Sequence, residues 1–408
     1  MKKFPVGFYW GAATASYQVE GGINNCDWAK AAREGRVPVC GQACDHYHRY
    51  EEDFDIAKSL GHNVHRFSLE WARIEPEEGK FNLEEIEHYR QVLSALKARG
   101  LTPIVTLWHF TLPLWFFESG GFERKDAPEI FARYARFIAQ QLGSELGVVS
   151  TINEPIVFAG LGWLKGNWPP FKQHPFVTDT NQLTNSGDRS KARPSHHWWN
   201  FITYVKVVNN LIKAHRAAYD AIKSVAPHLD VNLVHQVIVY DSNHEWKNRL
   251  RVFVQDQFVN RYLLNRVYKK CDSLGLNFYH YVKYGDRPVY KKTDMGWEMV
   301  PEGIYNAINV LWHYHLPIYI CEAGIADADD SDRAEYITKE VVATWRAISE
   351  GVVVKGFIYW SLLDNYEWAL GFEKKFGLVE INYDTLERTI RPSAYVYKQI
   401  CETNAVVE

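Results

Sequence analysis

Eight short runs rich in β-branched and aromatic residues, at 8–15, 63–69, 103–109, 148–153, 231–237, 273–279, 317–322 and 354–360, recur along the 408-residue chain. Between them lie helical patterns. Segments such as YEEDFDIAKSLG, LEEIEHYRQVLSALKARG, PEIFARYARFIAQQLG and DRAEYITKEVVATWRAISEG place apolar residues at helical spacing, and several end in Gly. Strands alternating with helices imply a parallel sheet, and eight such units without a composition break imply one closed (β/α)8 barrel spanning 1–408 rather than several domains. The chain exceeds the roughly 250 residues typical of that α/β fold, so elongated βα loops carry the excess. The polar, Pro- and Gly-interrupted segment 172–197 is expected to be one of them, forming part of a rim over the site.

Composition narrows what such a barrel can meet. The chain is 47% hydrophobic and 23% charged, enough for a large core. A net charge of -3, with Lys and Arg scattered, gives no basic field for nucleic acid. No apolar stretch approaches the roughly 20 residues that span a bilayer, so no membrane partner is expected. Six cysteines without a small-domain framework favour reduced thiols and a cytoplasmic setting. Oligomeric state leaves no signature. The opening FPVGFYWGAATASYQVEGG resembles a secretory leader in its basic pair, apolar run and small residues, but Pro5 and Gly7 break the run. Cleavage after Ala15 or Ser16 would also remove the first barrel strand. It is therefore expected to be that strand, running on to Gln18 and Glu20.

In such barrels the chemistry lies at the C-terminal ends of the strands. Those ends carry Gln18, Arg66, His109, Asn153 and Glu154, Asn277 and Tyr279, Glu322 and Trp360. A matched set of hydrogen-bonding groups converging on one face suits a polyhydroxylated small molecule. Glu154 in TINEP and Glu322 in YICEAG each follow an apolar strand, on strands four and seven of the ring. Two carboxylates about 5 to 5.5 Å apart can work on an acetal with retention of configuration, one as nucleophile and one as proton donor; a wider gap would imply inversion. Like charge raises one of the pair, while Arg66 and the phenol of Tyr279 favour a charged Glu322. Glu154 is then the proton carrier.

The ordered motifs FYWGAATASYQVEG, ACDHYHRYEEDFDIAKSLG, HRFSLEWARIEPEEGKFN, TINEP, LNFYH, MGWEMVPEGIY, CEAGIADADD and YWSLLDNYEWALGFEKKFGL resemble those of the family 1 glycoside hydrolases, which include the β-glucosidases. The resemblance runs almost end to end. It implies a (β/α)8 TIM barrel and retaining hydrolysis of β-glycosides, a β-glucosidase first, through a covalent glycosyl-enzyme and without cofactor or metal. By the same resemblance Glu154 is the acid/base and Glu322 the nucleophile, with Arg66, Asn277 and Tyr279 around it. Gln18, His109, Asn153, Glu367 and Trp368 are implied as glycone contacts, Trp360 as the sugar platform and Trp297 as the aglycone-side tryptophan.

The chain departs from the family pattern at two places. CEAG replaces the usual TENG, which puts Cys321 and Ala323 beside the nucleophile, and HFTLP replaces HWDLP, which puts Phe110 and Thr111 on the rim. Phosphoglycosidases of the family carry other residues where this chain has NYEW, and Glu367 would repel a sugar 6-phosphate, so an unphosphorylated glycone is expected. A transglycosylase using the same intermediate, or a sugar-binding protein without turnover, are the alternatives. Cys40, Cys44, His46 and His48 form a compact set of possible zinc ligands, but their spacing matches no zinc-finger pattern. Cys321 is expected to be a small buried filler.

Overall fold

The computed structural model describes residues 1–172, 199–243, 245–286 and 288–407. The expected rim segment therefore lies, apart from Lys172, outside the described residues. Eight parallel strands close into a barrel in chain order: β1 (Tyr9–Ala13), β2 (Val64–Ser68), β3 (Thr102–Trp108), β4 (Val148–Asn153), β5 (Asp230–Ser242), β6 (Leu274–Tyr284), β7 (Ile318–Ala323) and β8 (Val354–Trp360). The ring closes where β1 pairs with β8, in register from Tyr9 opposite Gly356 to Ala13 opposite Trp360.

Helices α1 (His46–Ser59), α2 (Leu83–Ala98), α3 (Ala127–Leu142), α4 (Trp199–Val225), α5 (Trp246–Asp256), α6 (Gly303–Trp312), α7 (Arg333–Ser349) and α8 (Pro392–Thr403) follow the strands. Each was legible from its 3.6-residue period, because one face packs on the sheet and the other meets water. The strands alternate accordingly. In β7, Ile318 and Ile320 join the layer between sheet and helices, while Tyr319 and Cys321 join Val64, Ile104, Val234 and Ile358 inside the barrel. Gly11 is glycine for contact reasons: a Cβ there would lie 2.0 Å from the Val64 carbonyl oxygen. Two short antiparallel ribbons are additions to the barrel, Lys2–Lys3 with Ala405–Val406 and Val379–Ile381 with Arg388–Ile390. Among the described residues no helix is long and apolar enough to cross a membrane.

One residue of the helical layer breaks its logic. Glu340, on the inner face of α7, is completely buried, and neither carboxyl oxygen has a hydrogen-bond partner among the described residues. Burial pushes this carboxyl well above the usual range. A raised carboxyl favours the fold fully below its unfolded value near 4.3 and loses that contribution as pH climbs towards the folded value, by up to about 1.4 kcal/mol per pH unit. Glu340→Gln cannot ionise. Its thermal midpoint should match the parent at pH 5 and exceed it at pH 8; a variant no more stable at pH 8 would refute this account.

Candidate active site

Glu322 stands near the end of β7, where two neighbouring chains hold it. Arg66 of β2 donates from Nη1 to Glu322 Oε1 at 2.5 Å, and the Tyr279 hydroxyl of β6 donates to Oε2 at 2.8 Å. Arg66 is itself buried and fixed by further bonds to Thr106 Oγ1 (3.2 Å), the Cys321 carbonyl (3.3 Å) and Asn153 Oδ1 (2.7 Å). The pairing of β6 with β7 shifts register between Leu276 and Asn277, so Asn277 comes opposite Glu322. Irregularities of this kind re-aim side chains beside active sites. Gly324 continues the turn, since a Cβ there would lie 2.4 Å from the Trp360 carbonyl oxygen. The CEAG departure thus costs the carboxylate none of these donors: Cys321 points into the barrel packing, and burial pushes its thiol up to about 12.

Glu154 follows β4 and adopts a left-handed backbone, φ 46°, before Pro155 opens the helix Pro155–Trp163. Pro is pre-set for a first helical position, and the left-handed residue makes the turn between strand and helix. Phe110 (φ 74°) and Trp368 (φ 51°) share this conformation and line the same cavity. Backbone strain of about 1–3 kcal/mol per residue is therefore gathered around one site. Asn277 Nδ2 donates to Glu154 Oε1 at 2.6 Å and approaches Asn153 Oδ1 at 3.3 Å. A continuous chain of hydrogen bonds, Glu322–Arg66–Asn153–Asn277–Glu154, joins the two carboxyl groups. Burial, and then the negative charge of Glu322, push Glu154 up to about 8.

Both carboxyls face a cavity of about 340 Å³. Gln18, His109, Trp297, Trp360, Glu367 and Trp368 line it too, so six of the seven residues expected on the sugar come together, while Asn153 is engaged by Arg66, Asn277 and His109 and is not in the lining. Gln18 is held by its amide nitrogen, which donates to Asn365 Oδ1 and the Tyr366 carbonyl at 2.8 Å each, leaving its buried Oε1 without a partner among the described residues. His109 lies parallel to Trp360 (5.9 Å) and Trp368 (6.0 Å) and contacts Asn153 Nδ2 at 3.4 Å. Burial, reinforced by the charge of Arg66, holds its imidazole well below the usual range, so it is neutral. Burial and the charge of Glu322 push Glu367 up to about 8.

Several expectations need correction. The first strand ends at Ala13, and Gln18 is carried instead by the short helical turn Ser16–Val19. Glu20 is not in the cavity: it pairs with Arg73 (2.9 Å) and accepts from the Tyr89 hydroxyl (2.9 Å). Thr111 likewise turns to the Glu70 carboxylate. Phe110 fills the rim position by packing edge-on to Trp168 (4.8 Å) and Trp368 (5.2 Å). Trp168 and Lys165 also line the cavity and went unnoticed, since both lie in an aperiodic segment after a helix. The four candidate zinc ligands disperse. His46 bonds Asp53 and His48 bonds Asp45, each at 2.7 Å, while the Cys40 and Cys44 thiols donate to the carbonyls of Tyr17 and Asp364. Among the described residues no three His, Cys, Asp or Glu are grouped to hold a metal ion.

Comparison with known proteins decides what this geometry belongs to. The model of glycosyl hydrolase family 1 matches residues 1–279 and 263–406. The chain belongs to that family. This family 1 enzyme is a retaining β-glycosidase, and hydrolysis is favoured over transglycosylation or mere sugar binding. It is 32% identical to β-glucosidase A of Thermotoga maritima, over all of its own length and 99% of the relative's. It is 28% identical to a β-galactosidase of Saccharolobus solfataricus, covering all of this chain and 97% of that one. Among solved structures, the β-glycosidase from Pyrococcus horikoshii superimposes with a TM-score of 0.88 at 34% identity, over all of this chain and 96% of that one. The alignment with the Thermotoga protein spans 468 positions against 408 residues here, so about 60 of those positions have no counterpart in this family 1 enzyme.

Proposed function

We propose that this chain is a cytoplasmic β-glucosidase, one barrel domain over 1–408, in which Glu322 is the nucleophile and Glu154 the acid/base. The bonded chain that joins the two carboxyls is the observation that carries this reading. Arg66 and Tyr279 orient the Glu322 carboxylate for attack on the anomeric carbon. Glu154, protonated because its pKa is raised, gives its proton to the departing oxygen, and a glycosyl ester of Glu322 forms. That ester removes the negative charge that had helped to raise Glu154. The carboxylate left on Glu154 is then a competent base for the water that breaks the ester, and configuration is retained.

Recognition of the sugar rests on directional groups around it. Gln18 offers an acceptor without a partner among the described residues, neutral His109 can donate or accept, and so can a protonated Glu367, while Asn153 stands behind them, its oxygen taken by Arg66 and Asn277. Such a site strongly rejects analogues lacking the hydroxyl it was built to bind. Trp360 supplies a flat apolar platform and Trp297 closes the leaving-group side. Protonation weakens the charge argument against a 6-phosphate, but the nearby charge that acts on Glu367 is that of Glu322, which would also repel a phosphate, so an unphosphorylated glycone still fits best. Six buried, unpaired cysteines support the cytoplasmic assignment.

Initial rates on a panel of 4-nitrophenyl β-glycosides test the reading. The β-glucoside should be turned over fastest, with the β-anomer of glucose released first by NMR. Absence of turnover on every β-glycoside, or an α-anomer first, would overturn it.

A further inference from the structure

The cavity extends well beyond the groups that meet the sugar. Its remaining wall mixes apolar side chains, Val157 and Leu161 of the helix that starts behind Glu154, Ile238 of β5 and Val282 of β6, with tyrosines and two glutamines, Gln236 and Gln255. Because Glu154 protonates the leaving oxygen, this is where the leaving group sits. One residue in that wall is out of place. Lys165, just after the same helix, buries its ammonium nitrogen there with no hydrogen bond, and no carboxylate among the described residues pairs with it. Its neighbours are neutral. His280, whose imidazole burial and then the charge of Lys165 push down to about 3, packs on Trp297 with ring centres 4.4 Å apart. Burial lowers Lys165 itself to about 8, so it is still mainly an ammonium at neutral pH.

A buried cation with no anion is costly, whereas a charge-assisted bond to a carboxylate in such surroundings is strong. A neutral second sugar would leave that ammonium without a counter-charge, whereas an anionic leaving group supplies one, and the rings of Trp168 and Trp297 in the same lining offer flat faces to an aryl group. We propose that the leaving-group pocket takes an aryl aglycone bearing a carboxylate that is bound by Lys165, so that β-glycosides of hydroxyaryl carboxylic acids are preferred substrates. This rests on the assignment of Glu154 as the acid that faces the leaving group.

The test compares kcat/KM for the 4-O-β-glucoside of p-coumaric acid with that for its methyl ester, in the parent enzyme, in Lys165→Gln and in Lys165→Arg. The acid-to-ester ratio should be about tenfold or more in the parent, since a hydrogen bond to a charged group is worth about 1.5–3 kcal/mol. It should fall to about one in Lys165→Gln and stay above one in Lys165→Arg. A parent ratio of one or less, or a ratio unchanged in Lys165→Gln, overturns the proposal. If the parent hydrolyses neither compound nor 4-nitrophenyl β-glucoside, the β-glucosidase assignment fails first, and the role of Lys165 fails with it.

Discussion

Glu322→Ala is expected to lose more than about 10⁴-fold in kcat on 4-nitrophenyl β-glucoside, because no other group in the cavity stands on Arg66 and Tyr279 at the attacking position. Azide or formate should restore turnover by entering the space of the deleted carboxylate. The stereochemistry of the rescued product identifies the role. Azide arriving from the nucleophile's side inverts the anomeric carbon once, so the product should be the α-glycosyl azide. Unreduced activity in the variant, or a β-azide, would remove Glu322 from this role.

Glu154→Ala should behave in the complementary way. Loss of a general acid costs about 10²–10⁴-fold where the leaving group needs its proton, and much less for 4-nitrophenolate, which leaves unaided. A large gap between alkyl and nitrophenyl glucosides is therefore expected, and azide should yield the β-glycosyl azide by attacking the glycosyl ester from the opposite face. The pH profile adds an independent readout. On the proposed mechanism Glu154 is protonated in the first step, and its pKa is raised to about 8, so kcat/KM for an alkyl glucoside should hold at neutral pH and fall as pH rises through about 8. That alkaline fall should be missing from Glu154→Ala. Its persistence would mean that another group carries the proton, and Glu367, also raised to about 8, would be next in line.

The barrel could be read from the chain because β-branched and aromatic runs alternate eight times with segments of helical period, a pattern that survives without knowledge of neighbours. Lengths were less legible. β5 and β6 continue to Ser242 and Tyr284 because, past the register shift at Gln236, they keep pairing with each other from Ile238 opposite His280 onward, a partnership that alternation in either strand alone does not reveal. Gln18 was placed on the right face for a different reason from the one found: Ser16 bonds the Ser68 and Glu70 side chains and turns the chain helical before Gln18 arrives. Glu20 is drawn out of the cavity by Arg73, a partner 53 positions away that no local pattern announces. The same limit hid Lys165. A lysine in an irregular segment reads as solvated, and only the tertiary fold shows its nitrogen buried in the cavity wall. Phe110 shows the converse, since the missing rim Trp and Asp suggested lost contacts, whereas the ring is packed between Trp168 and Trp368.

The seam between β1 and β8 also sets a clock. Tyr9 leaves the ribosome long before its partner in the closed ring, Gly356, which lies nearly 350 positions later. At about 5–20 residues per second the first strand waits tens of seconds with one edge unpaired. During that interval the hydrogen-bonding groups that will close the barrel are available to any other extended chain nearby. Slower translation lengthens this window, so the yield of active enzyme depends on the pace of synthesis as well as on the stability of the finished ring.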